Sequence, residues 1–143
     1  MLEVIKHDET LLAYILRAGF NTPGISFVTP DELTLQLAYM QHPNGKKILP
    51  HRHNPVPRDV LYTYEVLVIK KGKLRVDFYT REEEYLHSRV LYSGDTILLT
   101  DSAHGFEVLE AVEMLEIKQG PFVGDSEKTR FEPHYAFQPC IVA

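Results

Sequence analysis

Gly45-Lys-Lys-Ile-Leu-Pro-His51-Arg-His53 is followed, after a loop, by Glu65-Val-Leu-Val-Ile-Lys-Lys-Gly72. Side chains on a strand repeat their direction every second residue, so a strand through His51 and His53 presents two imidazoles on one face. That is half of a metal site. Glu65 heads an apolar strand, Val66 to Ile69, that runs to a glycine; a carboxylate in that position needs a partner for its charge, and a cation would serve. Taken alone, the His-x-His pair reads more readily as two surface histidines than as a metal site.

Upstream, Pro43-Asn44-Gly45 marks a turn, and Leu33 to Gln41 alternates as a strand with Leu33, Leu35, Leu37 and Tyr39 on one face. Ile25 to Val28 is a shorter candidate strand. Nearer the N-terminus Asp8 caps a predicted helix in which Leu11, Leu12, Ile15 and Leu16 follow the helical period, with Arg17 in the last turn and Gly19 as the stop. Downstream, residues 54–62 contain Pro55 and Pro57 and read as a loop on the rim of the site. Tyr64 to Lys70 and Leu74 to Tyr79 form a predicted hairpin turned at Lys71-Gly72. The acidic stretch Arg81 to Glu84 is a solvated tip, and Tyr85 to Tyr92, Thr96 to Thr100, His104 to Leu109 and Val112 to Lys118 are further strands.

Many short strands with one helix indicate an antiparallel sandwich or small barrel. The expected organisation is a single domain over residues 1–143: an N-terminal helical segment (1–24), a barrel (25–120) and a tail (121–143). Phe131, Tyr135 and Phe137 would dock the tail on the barrel or on a second subunit. If Glu65, Leu67 and Ile69 face inward, Val66 and Val68 face outward, where a solvated sheet carries polar residues. The tail or another subunit should cover them, and a homodimer is expected.

A chain of 143 residues buries a core without disulfides or a structural metal, and Cys140 is its single cysteine. The net charge of −5, with the basic residues scattered, disfavours nucleic acid as a partner and leaves small molecules or proteins. No apolar run has membrane-spanning length and the N-terminus has no leader pattern, so a cytoplasmic protein without a membrane partner is expected.

Gly45, five residues, His51-x-His53, then Glu65, six residues and Gly72 resembles the first motif of the cupin superfamily; Gly94 followed by His104 resembles the second. The resemblance implies an all-β, antiparallel double-stranded β-helix, or jelly-roll barrel, here with a short N-terminal helix. It also implies one divalent transition metal held by His51, His53, Glu65 and His104. In general style the chain is similar to small cupins among bacterial polysaccharide and sugar-biosynthesis proteins. It departs from the pattern in the long gap between His53 and Glu65, in Thr100 and Ser102 where proline and glycine are usual, in Val108 at the last motif position, and in His104, which falls one residue early.

Three imidazoles and one carboxylate suit iron, manganese, nickel or zinc, whereas calcium and magnesium prefer more oxygen. Beside such an ion, the strand 112–118 can turn only one of Glu113 and Glu116 into a barrel, and that one is a candidate general base. Arg58 and Arg52 are placed to hold a carboxylate or phosphate of a ligand. Tyr62 is either a phenolic donor or a packing residue. His7, His42, His87, His134 and Cys140 have no spaced partners and read as structural or surface residues. The function implied is metal-assisted isomerisation or oxygen chemistry on a small polar metabolite such as a sugar derivative or keto acid. Two alternatives stand beside it: a non-catalytic ligand-binding or sensor module, and a metal-free enzyme resembling sugar-nucleotide epimerases, with histidine as base.

Overall fold

A computed structural model describes residues 1–133 and 139–142. Its described residues form strands β1 (Leu2–His7), β2 (Thr10–Leu16), β3 (Gly24–Phe27), β4 (Ala38–Gln41), β5 (Glu65–Tyr79), β6 (Tyr85–Tyr92), β7 (Thr96–Leu99) and β8 (Ala103–Lys118), with one 3-10 turn at Gly124–Glu127. A curled antiparallel sheet in the order β1-β2-β7-β5-β6, with β8 paired to β5, makes a half-barrel; β3 and β4 form a separate ribbon.

The architecture is organised by one folded-over pair of long strands. β8 pairs with β5 along its whole length, from Glu65 opposite Lys118 to Tyr79 opposite Ala103. On its other side β5 carries β7 along Glu65–Val68 and β6 along Lys73–Tyr79. Between these halves the register slips at residues 69–74, and Gly72 sits there at φ 90°. A Cβ at Gly72 would lie 2.1 Å from the Ala111 carbonyl oxygen, so the two strands cross at a separation only glycine permits. The irregularity also changes the inward-facing phase. Leu67 and Ile69 point into the core before it, and Leu74, Val76 and Phe78 after it.

That core also takes Ile5, Leu12, Ile15, Leu91, Ile97 and Leu99. Burial of each such side chain stabilises the fold by about 1.5–3 kcal/mol. A second turn ties the sheet together at Gly94-Asp95, where the Ile69 carbonyl accepts from the Gly94 amide at 2.7 Å and the Ile69 amide donates to the Asp95 carbonyl at 2.9 Å. The buried Asp95 carboxylate accepts from the Ala18 amide, the Tyr92 amide and the Arg17 guanidinium, at 2.8–2.9 Å.

The expected N-terminal helix is absent. Residues 2–16 form the hairpin β1–β2, turning at Asp8 with φ 52°. The apolar run Leu11-Leu12-Ala13-Tyr14-Ile15-Leu16 fits a helical stripe, but Leu12 to Leu16 are all buried, and a strand sandwiched on both faces produces the same continuous pattern. Arg17 closes no helix; it pairs with Glu3 and Asp95. The predicted hairpin at Lys71-Gly72 is likewise one strand, β5, and the two strands expected from His104 to Lys118 are one strand, β8.

The outer face of the β5 start is covered from within the chain. Val66, 5% exposed, packs with Tyr14 and Leu98 under Leu33, Leu35 and Leu37. The alternation of the leucines thus marks a buried face, although only Ala38–Gln41 of the stretch is strand. Gln36 holds the rest in a compact loop by donating to the carbonyls of Pro30 and Leu33 at 2.8 Å. This cover is neither the tail nor a second subunit. In the tail, Phe131 meets the Tyr79 ring edge-on at 5.1 Å, and residues 140–142 run beside β6 through hydrogen bonds with Ser88. His134, Tyr135 and Phe137 lie outside the described residues.

Candidate functional site

Because the β5–β8 pair folds back on itself at Gly72, the start of β5 meets the start of β8. Glu65 Oε1 lies 2.7 Å from His104 Nε2, although the two residues are far apart in the chain. Both side chains are largely buried, and His104 Nδ1 is enclosed without a hydrogen-bond partner. Glu116, two residues along β8 from Lys118, the ladder partner of Glu65, hydrogen-bonds to the Glu65 carboxyl.

The two carboxyl groups of this trio shift each other in opposite directions. Burial, the largest influence on Glu65, raises its pKa; the hydrogen bonds from His104 and Glu116 and the charge of His104 together outweigh it and hold the carboxyl down at about 2. Glu116 moves the other way. Its hydrogen bond to ionised Glu65, then burial, push its carboxyl above the ordinary value. Glu65 is therefore the charged member, and Glu116 is the one that keeps its proton to higher pH.

The trio sits in a cleft of about 1190 Å³ on the open side of the half-barrel. Leu67, Phe106 and Met114 provide its apolar wall, and the loop from Val60 to Thr63 and the segment from Gln119 to Phe131 form its rims. Cations stand around the mouth. Lys118 pairs with Glu127 at 2.8 Å, and Arg81 lies 4.6 Å over the Tyr62 ring while donating to the Asp101 carbonyl. Lys128 and Arg130 complete that side. The arrangement can bind a small polar molecule with an anionic group, and it can accept or deliver a proton at the Glu65–His104–Glu116 chain.

The residues singled out from sequence fall into two groups. Glu65, His104, Glu116 and Tyr62 line the cleft; Glu113, on the opposite face of β8, does not. His51, His53, Arg52 and Arg58 lie outside the cleft lining, exposed on the irregular segment 42–64. His51 and His53 are not on a strand. Their rings meet at 5.4 Å and 70°, and His51 Nδ1 is 2.8 Å from the Leu49 carbonyl oxygen. Pro50 and Pro55 interrupt the run on either side, and among the described residues no strand pairs with it.

Among the described residues no three His, Cys, Asp or Glu side chains converge as a metal site. Glu65 and His104 fit as half of one, since the two atoms facing each other, a carboxylate oxygen and an imidazole nitrogen, are both transition-metal donors. A second polar cluster escapes the sequence reading. Arg75 forks onto Asp77 at 2.8 and 3.0 Å and reaches Glu107 at 2.6 Å, while Ser88 donates to Asp77. The signal for it is Arg75-x-Asp77, two opposite charges one strand step apart inside an apolar run. Among the described residues no helix is long and apolar enough to cross a membrane.

Compared with known proteins, the chain matches no family model, no curated protein and no solved structure.

Proposed function

We propose that the protein binds a small polar metabolite in the cleft and holds a divalent transition metal there, in the manner of a cupin jelly-roll whose half-barrel supplies Glu65 and His104 and whose 42–64 segment supplies His51 and His53. The observation that carries this reading is the 2.7 Å approach of Glu65 to His104 at the cleft floor, two of the four residues singled out by motif spacing. When bound, the ion would act as a Lewis acid toward a carbonyl or hydroxyl oxygen of the ligand. This chain's own groups do the rest. The cations at the mouth hold the ligand's anionic group, and Glu116, whose bond to Glu65 raises its carboxyl above the ordinary value, is placed to exchange a proton with it.

Elemental analysis of purified protein tests the reading, with Glu65→Ala and His51→Ala as controls. About one equivalent of iron, manganese, nickel or zinc in the parent and loss in both variants is expected. Metal at background in all three, after each ion is offered in turn, overturns it. A second reading rests on the Glu65–Glu116 hydrogen bond: the same trio works as a metal-free acid–base chain, with His104 as the base. Turnover of sugar phosphates, nucleotide sugars or keto acids that survives chelation and His51→Ala but is lost in His104→Gln would favour it. A non-catalytic sensor would show tight ligand binding with no turnover under either condition.

A further inference from the structure

Four cations line the cleft, Arg81, Lys118, Lys128 and Arg130, and three of them are already engaged. Lys118 pairs with Glu127 at 2.8 Å, and both side chains are mostly buried. Arg81 donates to the Asp101 carbonyl, stands 3.6 Å from the Asp101 carboxylate and covers the Tyr62 ring. Arg130 is drawn to Asp125 at 3.3 Å, in a pair exposed to solvent. Among the described residues the Lys128 ammonium has no ion pair and no hydrogen bond. Its backbone is nevertheless fixed, because its amide donates to the Asp125 carbonyl at 3.1 Å and closes the 3-10 turn Gly124–Glu127. Its charge is felt at the cleft floor by both Glu65 and Glu116. One free cation on the rim, facing a pair of carboxyl groups, is a seat for a single negative charge.

We propose that the ligand of the cleft is a small monocarboxylic acid carrying hydroxyl or keto oxygens, not a phosphate ester, and that Lys128 pairs with its carboxylate. The inference rests on the reading of the cleft as the binding site and narrows its ligand. A carboxylate brings one negative charge, which one ammonium balances; a phosphate ester brings about −1.5 to −2 and is best met by arginine forks. Both arginines of the lining are turned to neighbours, and the described lining carries five acidic side chains against four basic ones, so no surplus of positive charge awaits a dianion. The hydroxyl or keto oxygens follow from the rest of the wall. Gln119 Oε1, an acceptor in the lining, has no hydrogen-bond partner among the described residues. The last torsion of a glutamine is soft, so this oxygen can turn to a hydroxyl donor in the cleft, which a phosphate group does not supply. On the floor, Glu116 is the proton-bearing group that a carbonyl or hydroxyl oxygen would meet.

Isothermal titration of the full chain, with and without added manganese(II), tests the assignment. The probes are pyruvate, lactate, gluconate and glucuronate, set against glucose, glycerol 3-phosphate and glucose 6-phosphate. At least one of the four acids should bind at least about tenfold more tightly than any of the other three probes. Lys128→Ala should weaken that acid about tenfold or more, and Lys128→Arg should restore it to within about threefold of the parent. Arg130→Gln, which removes only an exposed pair, should change it by less than about threefold. Because Lys128 is exposed, urea midpoints should be unchanged in all three variants. Tighter binding of either phosphate ester overturns the ligand class and leaves the cleft standing as the binding site. Undiminished binding of the acid by Lys128→Ala, or a larger loss from Arg130→Gln, overturns the role of Lys128. A parent that binds none of the seven probes overturns the inference together with the reading on which it rests.

Discussion

The β5–β8 pair and the 42–64 segment each contain half of the same motif, and they fold in opposite ways. In the first, a glycine crossing point, a fully packed core and a continuous ladder bring Glu65 onto His104. In the second, prolines at 50, 55 and 57 interrupt the run, no ladder partner stands beside it among the described residues, and His51 and His53 are exposed. Spacing in a motif specifies residue types and their order. Whether those residues meet is decided by which backbone groups find a ladder.

The largest effect expected from breaking this contrast is at the glycines. Gly72→Ala must place a Cβ against the Ala111 carbonyl at φ 90°, and should cost about 3 kcal/mol or more in urea unfolding. Gly45→Ala, at φ 84° but in open space, should cost only about 1–2 kcal/mol. Equal losses would show that the crossing is no tighter than the loop. Next in size is the core: Phe78→Ala should lower stability by about 3–5 kcal/mol, against less than about 0.5 kcal/mol for Val56→Ala on the exposed segment.

A smaller effect sharpens the comparison at the site. Glu65, held below its ordinary pKa of 4.5 at about 2, contributes stability that is present above about pH 4.5 and is lost as pH falls toward 2. Glu116, shifted upward, contributes stability present below about 4.5 and lost as pH rises through its folded value. Thermal melts of the parent should therefore lose midpoint steeply between pH 4.5 and 2, and Glu65→Gln should flatten that limb. An unchanged limb would mean that the Glu65–His104–Glu116 chain does not hold charge as the geometry indicates. The smallest expected change is His51→Ala, within about 0.5 kcal/mol in the stability of the isolated chain, since the ring reaches only His53 and the Leu49 carbonyl. A larger loss would mean that the ring makes a contact beyond these two.

Several features are legible without the fold. Antiparallel β structure follows from the short alternating runs, and β6 and β7 fall where the alternation between Tyr85 and Thr100 places them. Leu33, Leu35 and Leu37 announce a packed face through their spacing alone, and strand parity lets only one of Glu113 and Glu116 face inward, while the cleft lining decides for Glu116. These properties depend on neighbours within a few residues, where chain geometry leaves little freedom. The tertiary structure decided the others. Leu11 to Leu16 become a strand because β1 and β7 flank them and both faces are buried, a condition that local periodicity does not distinguish from a helix. Gly72 joins two halves of one strand instead of turning a hairpin, because Ala111 passes close enough to need the missing Cβ. Glu65 reaches His104 only through that crossing, and contacts between residues distant in the chain arise from packing that no local pattern records.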